Sequence, residues 1–300
     1  MKTQRRIGIA LAAVAFEVAR AGAWYVSTNS PADGPGTAWS NAFHSIQAAV
    51  DAAAAGDSVW VTNGVYASGG AQQPGYTFTN RVMINKNIEV RSVNGPDVTI
   101  VEGQYDPQTG TYGSNAVRCA YLDAGARLIG FTLTRGAAVM APYDVHAICG
   151  GGLLLNSGAV SNCVIRDCRT WYGGGGVLLN AFDAVMDGCV VVRNTSGGIG
   201  GGVMWNDSGA LMRNCLMADN VAGTSGGGAH LPIGILEHCT VAGNQATSGG
   251  GFDTGEGSPT LVNTIVRGNS APTWPEYPST ASNVIWSHCK IGRASCRERV

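Results

Sequence analysis

The residues of this 300-residue chain whose types could do chemistry are a histidine and an aspartate that share one position in a repeat. Three consecutive glycines begin at Gly150, Gly174, Gly200, Gly226 and Gly249, at intervals of 24, 26, 26 and 23 residues. A period in this range marks a solenoid, in which residues at the same place in successive repeats become neighbours. His230 and Asp253 each stand second after a triplet, one repeat apart. A His beside a carboxylate can act as a general acid or base, so these two are the catalytic candidates. The plainer reading is a solvent-exposed polar pair where an apolar column ends. Asp144 and His146 precede the first clear repeat and border the same surface by position alone.

Two further columns carry charge. Asp187, Arg213 and Glu237 stack as minus, plus, minus, and so do Asp167, Arg193 and Asp219. Alternating signs on adjacent strands form paired ladders, each exposed pair worth about 0–1 kcal/mol. A substrate groove built from the same charges is the alternative. A calcium site would stack carboxylates without an intervening Arg, and neither column does. No cofactor is therefore expected, and calcium would enter only with a polysaccharide lyase. No CxxC pair with matching His spacing suggests zinc. The glycine triplets are not phosphate loops, because no GxxxxGK[ST] accompanies them.

The elements that must position these residues follow from the same register. After each triplet come Leu153, Val177, Val203, Ala229 and Phe252, and two residues later Leu155, Leu179, Trp205, Leu231 and Thr254. Mostly apolar columns two apart are the inward face of a strand. The column between them (Leu154, Leu178, Met204, His230, Asp253) faces out. Its apolar members either form a bare stripe for sugar rings, beside Trp171 and Tyr172, or lie under the segment 136–149, which is the favoured reading. Asn162, Gly188, Asn214, His238 and Asn263 mark a left-handed corner. Next to them stand Cys163, Cys189, Cys215, Cys239 and Thr264, and five residues on Cys168, Asn194, Asn220, Asn244 and Asn269, which can hydrogen-bond from rung to rung. Each coil is thus three short strands and three bends, with rungs about 4.8 Å apart. Parallel Cβ vectors suit disulfides poorly, so the stacked cysteines are expected to be free and packed as small hydrophobes. Cys149 and Cys168, near bends, are the pair that could bridge.

The ends read differently. Residues 1–23 form a signal peptide: Lys2, Arg5 and Arg6, an apolar run over 7–16, then Ala21-Gly22-Ala23. Residues 24–66 read as an N-terminal cap. Within it Phe43, Ile46, Val50 and Ala53 fall at helical spacing, with Ser40 or Asn41 as N-cap and Gly56 past the end. Residues 67–290 are coils. Residues 291–300, IGRASCRERV, resemble a translated sequencing adapter, an artefact that would truncate the coils and leave the last ones poorly packed. Residues 24–290 hold 12 Lys and Arg against 18 Asp and Glu, a net charge of −6 where the whole chain has −1. An acidic surface argues against nucleic acid, and no later segment is long and apolar enough to span a membrane.

Several stretches resemble right-handed parallel β-helix proteins of the pectin-lyase-like superfamily. They are TAWSNAFHSIQAAVDAAAAGDSVWVTNGVY, SVNGPDVTIVEG, RCAYLDAGARLIGFTLTRG, and the GGG and SNCVIRDC-type coils. The resemblance covers residues 24–290. It implies an all-β, right-handed parallel β-helix, a solenoid of three strands per coil with a short N-terminal capping helix. That superfamily holds polysaccharide lyases and glycoside hydrolases, often with clustered acids and an Arg or Lys base, but also adhesins and surface proteins. Fold alone does not choose among them. The expectation is a bacterial protein, secreted or at the cell surface, that is carbohydrate-binding, adhesive or structural, without an evident catalytic site. A polysaccharide lyase or glycoside hydrolase is the alternative. The expected partners are extracellular polysaccharide or cell-surface components, and the expected state is a monomer.

Overall fold

The alternation of inward and outward residues closes the chain into a parallel β-helix. The computed structural model describes residues 21–31, 33–73, 75–140, 144–206, 209–277, 284–292 and the backbone of 294–295. The expected signal peptide up to residue 20, and most of the adapter-like tail, lie outside the described residues.

Three long sheets run the length of the tube. In one coil the front sheet takes Val177–Leu179, the side sheet Val185–Asp187 and the back sheet Val190–Val192. A short fourth sheet, Arg169–Thr170, Thr195–Ser196 and Val221–Ala222, adds to the three strands per coil expected. The front-sheet register runs Leu154, Leu178, Met204, His230, Asp253, so the outward column is real. Leu153, Val177, Val203 and Phe252 are fully buried inside. Burying each such side chain contributes about 1.5–3 kcal/mol.

Two columns of left-handed residues turn the corners. Asn162, Gly188, Asn214, His238 and Asn263 have φ between 47° and 63°. The second column, Asp167, Arg193, Asp219, Gly243 and Gly268, has φ between 53° and 68° and flanks the back sheet on its other edge. The second Gly of each triplet is needed for close approach: a Cβ on Gly175 would sit 2.4 Å from the Gly201 carbonyl oxygen.

Polar atoms inside the tube are paired between coils. The Asn220 amide donates to Asn244 Oδ1 and Val191 O, and its Oδ1 accepts from Asn194 N and Nδ2, all at 2.9–3.0 Å. The cysteine column works similarly. Cys189 N donates to Cys215 Sγ, and Cys239 N to Thr264 Oγ1, both at 3.4 Å. A hydroxyl therefore does at Thr264 what thiols do elsewhere, which explains why Thr fits the column.

The capping helix α1 spans Ile46–Ala52 and buries Ile46, Ala49 and Val50. Its N-cap is Ser45, not Ser40 or Asn41, because Ser45 Oγ accepts from Ala48 N at 3.2 Å. Trp39–Asn41 is instead a separate 3-10 turn.

A second core lies outside the tube. Helix α2, Val145–Ile148, is N-capped by Asp144 and lies over the front sheet. Ala147, Ile148, Val139 and Phe78 pack with Leu154, Leu178 and Met204, and Tyr121 precedes Leu154 in the same outward column. The stripe is thus buried, as the favoured reading has it. Cys149 belongs to this outer cluster while Cys168 lies inside the tube. The sheet wall between them rules out their bridge, and all eight described cysteines are free. The last described coil is not loose. Tyr277 stacks on Phe252 at 5.6 Å, Trp286 meets Tyr277 at 5.1 Å, and both pack against the inner core.

Candidate functional site

The structure brings His230 and Asp253 together. His230 Nδ1 lies 2.9 Å from Asp253 Oδ2, which also accepts from Ser225 Oγ at 2.9 Å, while Asp253 Oδ1 accepts from Gly255 N at 3.2 Å. Each side chain is 16% exposed, so the expected solvent-exposed pair is in fact largely buried. The front strand shortens here to Phe252–Asp253, and the turn at Gly255 folds back towards the imidazole. When Nδ1 donates to the carboxylate, Nε2 is left as the proton acceptor. Ser225 bonds to the aspartate and not to Nε2, so this is not a nucleophile–base–orienter series. The pair can move a proton at Nε2 and nothing more elaborate.

Burial alone would raise the Asp253 pKa, but the His230 hydrogen bond and charge, with Ser225 and Gly255, outweigh it and hold the carboxyl below its ordinary value. A carboxyl depressed in the folded state stabilises the fold above its unfolded pKa, near 4, and loses that contribution as pH falls through the folded value. The stability difference between wild type and Asp253→Asn should therefore shrink as denaturation is measured from pH 5 down to pH 2.

Asp144 and His146 do not join this pair. His146 Nε2 lies 2.8 Å from Asn180 Nδ2, and Nδ1 lies 3.2 Å from Tyr76 Oη. Asn180 also donates to Asn156 Oδ1 at 2.7 Å and accepts from Asn206 Nδ2 at 2.8 Å. This second asparagine ladder was readable, because Asn156, Asn180 and Asn206 directly follow Leu155, Leu179 and Trp205.

The charge columns pair between their first and second members. Arg213 Nη2 meets Asp187 Oδ2 at 2.9 Å. Glu237, next in register, lies 3.7 Å from His238 instead. Arg193 grips Asp167 with two bonds of 2.9 and 3.0 Å, and Arg166 adds a third at 2.6 Å. Burial opposes ionisation of Asp167, but the two guanidiniums outweigh it and keep its carboxyl below the usual range.

Asp167 also borders a groove of about 460 Å³ at the N-terminal end of the back sheet. Val65 and Ile100 supply apolar lining, and Glu102, Tyr105, Arg135 and Arg166 the rest. Tyr105 rises from the excursion after Gly103, which Asp106 fastens by accepting from Gln108 N and Asn115 N at 2.8 and 2.9 Å. The phenol donates to the Asp167 carbonyl oxygen. Guanidiniums of Arg169 and Arg135 stand 4.7 and 5.7 Å from its ring, and Arg135 pairs with Glu102 at 3.1 Å. Three of the ten arginines between residues 24 and 290, Arg135, Arg166 and Arg169, thus gather around Tyr105, against the carboxylates of Glu102 and Asp167. Column reading missed this site, because Tyr105 sits in an aperiodic loop. The clue was Arg135, which shares the corner position of Asp167 and Arg193. Among the described residues no group of three or more His, Cys, Asp or Glu could hold a metal ion.

No family model matches the chain, and no curated protein does. Solved structures do. Pectin methylesterase PemA from Erwinia chrysanthemi superposes with a TM-score of 0.51 at 13% identity, covering 92% of this chain and 91% of that one. A pectin methylesterase in complex with a hexasaccharide gives 0.52 at 12%, with the same coverage. A pectate lyase gives 0.52 at 15%, over 82% of this chain and 63% of its own. The chain shares the parallel β-helix fold of these proteins. At 12–15% identity the likeness carries the fold and leaves the activity to the residues. In this β-helix those residues offer a buried His–Asp pair at one end of the front sheet and an arginine-rich groove at the opposite end of the back sheet.

Proposed function

We propose that the protein is a secreted or cell-surface carbohydrate-binding β-helix, with a polysaccharide seated in the Tyr105 groove. The groove carries the reading: an aromatic ring with guanidiniums over its face, apolar lining and paired charges that can meet hydroxyl and carboxylate groups. The fold likeness to pectin-processing proteins supports a carbohydrate ligand. The charged and apolar N-terminal run supports export.

The test is affinity electrophoresis and calorimetry on a panel of neutral and uronate-containing polysaccharides, with and without calcium. Retention on at least one is expected. Tyr105→Ala should weaken that binding at least tenfold, about 1.4 kcal/mol. Retention on none, or binding indifferent to Tyr105→Ala, sinks the proposal.

One observation favours a second reading, a polysaccharide lyase or hydrolase: the buried His230–Asp253 hydrogen bond. New reducing ends or unsaturated uronate absorbance, lost in His230→Ala, would establish it.

A further inference from the structure

We infer that the back sheet is a self-association surface and that its occupant is a second copy of this chain. Both this sheet and the front one turn apolar residues outward, and one fact separates this sheet: it is bare. Its outward residues in the central coils are mostly aliphatic: Val190, Val192, Leu216, Ala218, Ala242 and Ile265, all partly or fully exposed. No described segment covers them, whereas the front stripe lies under α2 and its neighbours. The in-register parallel pairing from Val190 through Leu216 to Thr240 makes the face a regular aliphatic grid.

The edges of the face say what covers it. In the coil that carries Val190 and Val192, one edge bears Asp187 and the other Arg193. In the next coil the signs are exchanged, with Arg213 on the first edge and Asp219 on the second. Consider two back sheets face to face about a two-fold axis parallel to the tube. Each edge then meets the opposite edge of the same coil. Asp187 faces Arg193 of the second copy, and Arg213 faces its Asp219. The four contacts are all of opposite sign. Glu237 would face Gly243, and Ser161 would face Asp167, so no like charges meet. A slip of one rung would set Asp187 against Asp219 and Arg213 against Arg193. The pattern therefore selects one register as well as attracting a copy, which is how charge gives specificity. An isologous two-fold contact of this kind closes on itself. Sheets packed this way lie about 10 Å apart, within reach of the edge side chains.

The same axis has a consequence at the N-terminal end. The Tyr105 segment stands at one edge of the sheet, so in the pair the two segments lie on opposite sides. Between them the two grooves face each other across one cleft. This extends the binding reading but does not depend on it, because the association needs only the coils around Val190 and Leu216.

The experiment is sedimentation equilibrium of the full secreted chain between about 1 and 100 µM, at low and high salt. A dimer that weakens with salt is expected. Leu216→Lys, a change on the outer face that leaves the tube interior intact, should weaken it at least tenfold. Asp219→Arg and Arg213→Asp should each do the same, since each sets like charges together in a homodimer. Mixed in equal amounts, those two variants should recover a heterodimer, because every edge contact is then of opposite sign again. Circular dichroism on each variant checks the fold. A wild-type monomer at 100 µM, a Leu216→Lys dimer of unchanged strength, or no recovery on mixing would each overturn the inference. Polysaccharide retention measured on the same samples tells failure of association apart from failure of the binding proposal.

Discussion

Arg118→Met is expected to cost about 3–5 kcal/mol and to release the cover from the front sheet. Arg118 is 1% exposed, and burial pulls its pKa down to about 10, so it remains charged at neutral pH. Its guanidinium donates to Gly150 O and Cys149 O at 2.8 and 2.9 Å, to Asn80 Oδ1 at 3.0 Å and to His146 O at 2.5 Å, over the face of Phe78. Three of these acceptors are main-chain carbonyls of α2 and the turn after it. A single cation thus ties the cover to the strand beneath. Methionine fills the volume but leaves four buried acceptors unpaired, each costing about 1–3 kcal/mol, less what is recovered by no longer burying a cation. Urea denaturation gives the energy, and limited proteolysis within 136–149 reports the release. Arg118→Lys should rescue only in part, because a single ammonium cannot span the fork. A variant with unchanged stability and an uncut cover would show that apolar packing alone holds α2 down.

Asn220→Ala should cost about 2–4 kcal/mol, and the damage should stay local. Asn220 is fully buried, and its side chain makes four hydrogen bonds that reach the coils before and after it. Its removal takes the side-chain partner from Val191 O and from the Asn194 backbone N–H, and leaves Asn244 Oδ1 with the Asn220 backbone N–H alone. In a stack of repeats each coil leans on its neighbours only, so the loss should appear first as faster amide exchange in the coils of Asn194, Asn220 and Asn244. The capping helix should keep its protection. Uniform loss of protection along the tube would mean that the coils unfold as one unit. Asn220→Asp should be worse than Ala, since it sets an acceptor against Asn244 Oδ1.

Much of this was legible because a stacked tube repeats its demands. The inward positions must be apolar at every rung, and Val177, Val203 and Phe252 say so. The corner must accept a left-handed backbone, and Asn162, Gly188 and Asn214 say that. What escaped lay where the repeat fails or where one position serves two purposes. The second corner holds Asp167, Arg193 and Asp219, whose charges drew attention away from their shared backbone conformation; Gly243 and Gly268 at the same place carried the missing hint. Cys149 and Cys168 stand near bends in adjacent coils, yet a wall of front-sheet strands lies between them. Tyr105 had no counterpart in another coil to be compared with. His230 and Asp253 were placed as neighbours by the period alone, but the turn at Gly255 that shuts water out belongs to one coil only.

The asparagine ladder also makes the coil an interchangeable part. Each amide meets the next in the same way at Asn194, Asn220, Asn244 and Asn269, although these coils differ by two residues in length. The extra residues are spent in outer turns, and the inner rail keeps its gauge. A gene that duplicated one coil would thus lengthen the molecule by a single rung, about 4.8 Å, without asking any other residue to change. Growth of this protein is quantised, and the reach of its surfaces can be set by counting.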